Sequence, residues 1–232
     1  MPRSSTCRSS GRIGCRVRQA TRASAACALI AFALGACSGE RGGPDGEERA
    51  GAAGGAARTE SNPVTFYREY VTVEPSRGRT SVSALYYFRN TSDRPVQQLI
   101  SYPFPVDRFH LYPRTVRVWE KTADGLRPMG FVHRERSVRW SMRFGPGEEK
   151  VVRVDYTQEI RRPHARYIVT TTKYWERPID LAEFEFRVPA SLDSVRLSFD
   201  PDRRSVSGDT VIYYMRREQF MPDDDLNITW RE

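Results

Sequence analysis

Val82-Ser83-Ala84-Leu85-Tyr86-Tyr87-Phe88-Arg89 sets Val82, Ala84, Tyr86 and Phe88 on one phase of a two-residue repeat, and Ser83, Leu85, Tyr87 and Arg89 on the other. A helix gathers residues three and four apart onto one face, whereas a strand sends successive side chains to opposite faces. The stretch therefore reads as a strand with one buried and one wet face. The same alternation recurs downstream. Val138, Trp140, Met142 and Phe144 alternate with Arg139, Ser141 and Arg143, and Phe184, Phe186 and Val188 alternate with Glu183, Glu185 and Arg187. Further sets are Val152, Val154, Tyr156; Val195, Leu197, Phe199; and Leu226, Ile228, Trp230. Antiparallel sheets are the ones that tolerate a wet face.

Turn-forming residues separate these runs at Pro75 to Gly78, Asn90 to Pro95, Ala123-Asp124-Gly125, Gly145-Pro146-Gly147, Asp200-Pro201-Asp202 and Ser207-Gly208-Asp209. Spacing of about ten residues between turns predicts an all-β fold, an antiparallel β-sandwich of roughly eleven or twelve short strands. A barrel satisfies the same periodicity. The alternation breaks between Gln158 and His164, so the β domain, 63–232, either continues through that stretch or divides near 158–164. About 170 residues bury roughly 70% of the unfolded surface, and halves of such a chain would be marginal alone.

Upstream of the domain the composition changes twice. Residues 1–22 hold six arginines (Arg3, Arg8, Arg12, Arg16, Arg18, Arg22) and no acid, and an apolar run from Ala23 to Ala36 ends in Leu34-Gly35-Ala36-Cys37. A basic segment, a short apolar run and small residues before a cut are the parts of a secretory signal, and the run is too short to span a bilayer. Residues 38–62 are mostly Gly, Ala, Glu, Arg and Ser, a composition expected of a tether with an r.m.s. span of about 25 to 30 Å.

With the leader removed, the chain's net charge of +8 falls to +2, since 31 basic residues then face 29 acidic ones. Nucleic-acid binding needs clustered positive charge, and here arginines alternate with acids along the expected strands. All four cysteines (Cys7, Cys15, Cys27, Cys37) lie at or before the cut. Disulfides, thiol catalysis and cysteine metal sites are thereby excluded from the mature domain.

Leu34-Gly35-Ala36-Cys37 resembles the lipobox of bacterial lipoproteins. The resemblance implies cleavage between Ala36 and Cys37, a lipid on Cys37 and residence in the cell envelope. Ser38, in place of the Asp that marks inner-membrane retention in enterobacterial lipoproteins, favours the outer membrane where the organism has one, and otherwise the outer face of the plasma membrane. Within the domain, Leu85-Tyr86-Tyr87-Phe88-Arg89-Asn90, Tyr102-Pro103-Phe104-Pro105, and Gly145-Pro146-Gly147-Glu148 leading into Val152-Arg153-Val154-Asp155-Tyr156 resemble vault/inter-alpha-trypsin type domains and some bacterial secreted β domains. Tyr102 and Phe104 depart from that pattern's usual Phe and Leu. The resemblance implies a sandwich with a protein-interaction role.

Catalytic signatures are not legible. No Gly-x-Ser-x-Gly elbow occurs, and His110, His133 and His164 form no His-x-His or His-x-x-x-His pair, so they read as satisfied or solvent-facing side chains. Asp223-Asp224-Asp225 lacks the spacing and bend glycine of a calcium loop and reads as a solvated turn. No catalytic residue, metal site or cofactor is assigned. Asn90-Thr91-Ser92 and Asn227-Ile228-Thr229 match a glycosylation acceptor pattern by chance in a bacterial chain.

Aromatic residues are the remaining signal, at 11% of the chain. Tyr86, Phe88, Trp140, Phe184, Phe186, Phe199 and Trp230 occupy inward phases and belong to the core. Trp119, Tyr174, Trp175, Tyr213 and Tyr214, together with Tyr87, are the candidate ligand or partner contacts. The reading is a lipid-anchored envelope protein whose β domain binds a protein partner; a glycan-binding module is the alternative, and an unrecognised hydrolase ranks third.

Overall fold

A computed structural model describes residues 62–231. The expected signal segment 1–36, its cut between Ala36 and Cys37, the lipid at Cys37 and all of the 37–62 linker but its last residue lie outside the described residues. Fourteen strands form among those described: β1 Val64–Ser76, β2 Arg79–Asn90, β3 Val96–Pro103, β4 Thr115–Thr122, β5 Gly125–Pro128, β6 Val132–His133, β7 Ser137–Phe144, β8 Glu149–Glu159, β9 His164–Tyr167, β10 Ile179–Pro189, β11 Asp193–Leu197, β12 Arg203–Ser207, β13 Thr210–Phe220 and β14 Leu226–Arg231. The count exceeds the expected eleven or twelve partly because β5 and β6 are only four and two residues long and exposed throughout. Elements with no buried phase leave no alternation to read.

The chain is all-β, as the period of two predicts. Eight strands form one sheet in the order β12-β13-β10-β1-β2-β8-β4-β5, and two three-stranded sheets run β11-β14-β9 and β3-β7-β6. The large sheet is open, ending at β12 and β5. All pairings are antiparallel except β1 with β10, which lie parallel from Arg68↔Leu181 to Val73↔Phe186. That pair departs from a purely antiparallel expectation and joins strands from both sides of the 158–164 stretch. A parallel pair needs a long crossover rather than a hairpin, and local turn signals do not reveal it.

One hydrophobic cluster draws on all three sheets. Tyr86 of the large sheet donates to Tyr102 Oη of β3 at 3.0 Å and shares a 2.6 Å bond with Tyr167 Oη of β9. The two small sheets therefore cover one face of the large sheet, with β3 and β9 as their terminal strands on either side of Tyr86. The expected turns sit between strands. The hairpin from β1 to β2 turns on Arg77 and Gly78, and Gly78 has φ 74°, a conformation that glycine adopts without cost.

Asn90 shows why the turn residues of the first half recur together. It is fully buried, donates to Arg94 O at 2.7 Å and Gly145 O at 2.8 Å, and accepts from Ser92 N and Oγ. Glu148 closes the same corner, accepting from Gly145 N through its side chain and from Asn90 N through its carbonyl. One side chain thus satisfies the backbone of two turns that are 55 residues apart.

Candidate functional site

Two places on the domain combine concavity with chemistry. The first is the outer face of the large sheet, on the side away from the core. Register places Tyr214, Glu185, Thr72, Ser83, Asp155 and Arg117 in one cross-strand row, and Arg216, Glu183, Tyr70, Leu85, Arg153 and Trp119 in the next. The middle strands carry short hydroxyl side chains, with Ser81 Oγ and Thr157 Oγ1 3.2 Å apart. Short side chains flanked by Arg, Trp and Tyr leave the sheet low in the centre. Two adjoining depressions of about 580 and 530 Å³ result, sharing Glu74, Ser81 and Arg187.

Charge on this face is paired rather than massed. Arg153 Nε donates to both oxygens of Asp155 at 3.0 and 3.1 Å, Arg187 donates to Glu185 at 2.8 Å, and Arg68 donates to Glu183 at 3.0 Å. Tyr214 Oη donates to Glu183 at 2.7 Å, and the Arg203 guanidinium lies 5.1 Å from the Tyr214 ring. Trp119 carries Arg153 at 5.7 Å from its ring.

The second place is a crevice at the seam between the small sheets. Its floor is Phe66 and Glu69 of β1 with Tyr86 and Phe88 of β2; Tyr102, Trp140, Tyr167 and Trp175 contribute to its walls, and it encloses about 70 Å³. Glu69 reaches the core side through a bulge. Register shifts between Phe66 and Arg68, so the inward phase of Val64 and Phe66 passes to Glu69, Val71 and Val73, while Arg68 turns to the outer face. A bulge that re-aims a side chain in this way is a recurrent feature near functional sites.

Glu69 is 3% exposed and makes no hydrogen bond or ion pair among the described residues. Burial without a partner pushes its carboxyl up to about 8. The other buried acids are treated differently. Asp225 Oδ1 accepts from Val169 N, Thr170 N and Thr170 Oγ1, and Oδ2 accepts from Arg166; burial alone would raise its carboxyl, and these donors outweigh that and hold it below the usual range. Burial likewise opposes ionisation of Glu120, and Lys150 and Arg127 reverse the effect. The tyrosine hydroxyls around Glu69 sit well above their ordinary value, chiefly through burial.

Of the aromatic residues expected as contacts, the structure brings Trp119, Tyr214 and Tyr87 to one surface, the outer face of the large sheet, with Arg68 5.3 Å from the Tyr87 ring on β2. Trp119 and Tyr214 are the outermost of the three. They stand on β4 and β13, five strands apart, a separation of about 24 Å at the usual inter-strand spacing. Tyr213 packs against the core from the opposite phase. Trp175 ends a short 3-10 helix, Thr170–Trp175, and lies against Phe66 at 5.8 Å and Phe88 at 5.6 Å. Both are half-buried, Tyr213 by its strand phase and Trp175 because the helix folds it onto the seam. Tyr174 points the other way and is 65% exposed.

One further reading changes. Asp225 is no part of a solvated turn: it anchors the start of the 3-10 helix as described above. His110 and His164, distant in sequence, stack edge to face with ring centroids 4.9 Å apart. His110 is buried, with Nδ1 on Asp107 Oδ1 at 2.9 Å and Nε2 on the His164 carbonyl at 3.0 Å, so both ring nitrogens are engaged. No group of His, Cys, Asp or Glu suited to a metal ion occurs among the described residues. Glu69 had a readable sign, an acid on the same phase as Val71 and Val73; the bulge that puts it there had none.

No family model matches this sequence, and no curated protein matches it. Among solved structures, the chain is similar to a suggested nutrient-binding protein from Legionella pneumophila, at 15% identity over 73% of this chain and 68% of that one, with a TM-score of 0.55. An M1 zinc metallopeptidase from Deinococcus radiodurans, in a mutant form bound to a Tyr-Ser-Ala substrate, is similar at 13% identity over 72% of this chain and 42% of its own, with a TM-score of 0.48. This chain thus spans less than half the length of that metallopeptidase. What it shares with the Legionella protein is the all-β fold.

Proposed function

We propose that the chain is a lipid-anchored lipoprotein of the cell envelope, and that its β domain is a protein-interaction or assembly module rather than a catalyst. The observation that carries the binding role is the outer face of the large sheet, which none of the described strands covers, low and hydroxyl-rich in the middle and bordered by paired charges. Mixed charge of this kind favours register and partner discrimination over non-specific adhesion. Trp119 and Tyr214 stand too far apart to stack on one sugar ring, and this favours a protein partner over a glycan. Cys37 with the linker to residue 62 would hold the face near the membrane and leave it free to turn.

Cell fractionation of the native chain and a Cys37→Ala variant tests the anchor. The native chain is expected with membranes and the variant in the soluble envelope fraction; a variant that stays with membranes contradicts the anchor. Affinity capture from solubilised membranes, compared between the native chain and a Ser83→Arg/Thr157→Arg variant that fills the trough, tests the face. A specific partner lost from the variant supports the reading, and an identical set of captured proteins contradicts it.

A further inference from the structure

We propose that the crevice at the seam is a binding site for a small organic ammonium group, with Glu69 as its counter-ion and the surrounding aromatic rings as its cage. This site is separate from the outer face and stands whether or not that face has a partner. Three observations lead to it. Glu69 differs from the other buried acids described: Asp225 and Glu120 each meet a basic side chain, and Glu69 meets none. No Arg, Lys or His lines the cavity, so the positive charge that a carboxylate there requires must come from outside. The rings offer the negative faces that hold cations, most strongly those of Trp.

Other ligand classes fit less well. An anion would be repelled wherever Glu69 ionises, above about pH 8, and an apolar molecule would leave its carboxyl unsatisfied at any pH. Trp140, which lines the same cavity, has an indole N–H without a partner, available to an acceptor elsewhere on the ligand. Exposed Ser101 and partly exposed Thr171 also line the cavity, which gives it a mouth at the surface. The enclosed volume suits an ammonium head with short substituents rather than an extended molecule.

Binding is coupled to a proton. Without a bound cation, burial raises the Glu69 carboxyl to about 8, so it is mostly neutral at pH 7. A bound ammonium favours the carboxylate, and the proton leaves to solvent, one for each cation taken up. The titratable groups nearest Glu69 are Tyr86 of β2, Tyr102 of β3 and Tyr167 of β9, and burial keeps all three neutral across this range. Affinity should therefore rise about tenfold per pH unit up to about pH 8 and level off above it.

Isothermal titration calorimetry of the full chain with methylammonium, tetramethylammonium and choline, at pH 6 and pH 9 and in buffers of different ionisation enthalpy, tests the site. The neutral isostere 3,3-dimethylbutanol and a Glu69→Gln variant shown to be folded by circular dichroism are the controls. The expected result is saturable one-to-one binding of at least one ammonium probe, more than about tenfold tighter at pH 9 than at pH 6. Release of about one proton at pH 6 and at least tenfold weaker binding to Glu69→Gln and of the isostere complete the expectation. Absence of saturable binding for all three probes, or binding indifferent to Glu69→Gln or to the probe's charge, overturns the proposal.

Discussion

Replacing Glu69 by Gln removes a titratable group from the crevice while keeping the side chain's shape, and the effect on stability should depend on pH in a defined direction. The carboxyl moves from an ordinary 4.5 to about 8 on folding, with burial as the cause. Because the folded value lies above the unfolded one, the folded state holds its proton longer. Stability is then highest below about pH 4.5 and declines as pH rises toward 8. At about 1.4 kcal/mol per pH unit, the penalty reaches about 3 kcal/mol at pH 7 and about 5 kcal/mol above pH 8. Domains are commonly stable by only about 5 to 15 kcal/mol, so this is a large share. Urea unfolding followed by circular dichroism at half-unit intervals from pH 4.5 to 9 reads it directly. The native chain should lose stability steadily over that window, and Glu69→Gln should be flatter and exceed it by several kcal/mol at pH 8.5. Parallel profiles for the two proteins would refute the buried, unpaired state of Glu69.

Asp225→Asn should cost about 2 to 3 kcal/mol at pH 7, since it removes charge-assisted bonds to Arg166 and the start of the 3-10 helix. Its folded carboxyl lies below 3.8, so its contribution is present above that value and lost as pH falls through the lower one, opposite in sign to Glu69. Comparing urea midpoints at pH 7 and pH 2.5 checks this, and the native–variant difference should shrink at the acidic end. Asn90→Ala should cost about 2 to 4 kcal/mol by the same assay, because Gly145 O and Ser92 N lose their Asn90 bonds in a buried corner and Arg94 O keeps only its weaker bond from Ser92 Oγ among those described. Trp175→Ala should cost about 2 to 3 kcal/mol, while its neighbour Tyr174→Ala should change stability by less than about 0.5 kcal/mol. Equal effects at these two positions would contradict the placement of the 3-10 helix.

What the sequence made legible follows from how local each feature is. Val82, Ala84, Tyr86 and Phe88 show a period of two because each side chain faces a core that runs the length of the strand, and the all-β fold is visible from that alone. Asn90 and Gly145-Pro146-Gly147 were legible as turns, since a turn's requirements fall within a few residues. The parallel pairing of β1 with β10 was not, because no nearby residue specifies a partner so far along the chain. Candidate contacts divided for the same reason. Trp119 and Tyr214 sit in long strands whose phase can be counted, whereas Trp175 follows irregular backbone, and its direction depends on Asp225 anchoring a helix from 55 or so residues away. Tyr213 was set apart only by its neighbour, and strand phase turns it inward. Glu69 escaped notice because one bulged residue reverses the phase ahead of it, and because its isolation is a property of three sheets meeting.

The role assigned to the outer face is tested most directly by a photo-crosslinking residue placed in living cells at Ser83 or Thr157, at the low centre of the sheet, and at exposed Arg134 as a control. The account predicts one discrete protein adduct from Ser83 and Thr157, absent from Arg134 and weakened by the added substitution Arg153→Glu. Adducts that are identical at all three positions, or none at Ser83 and Thr157 in a folded, membrane-associated chain, would contradict it.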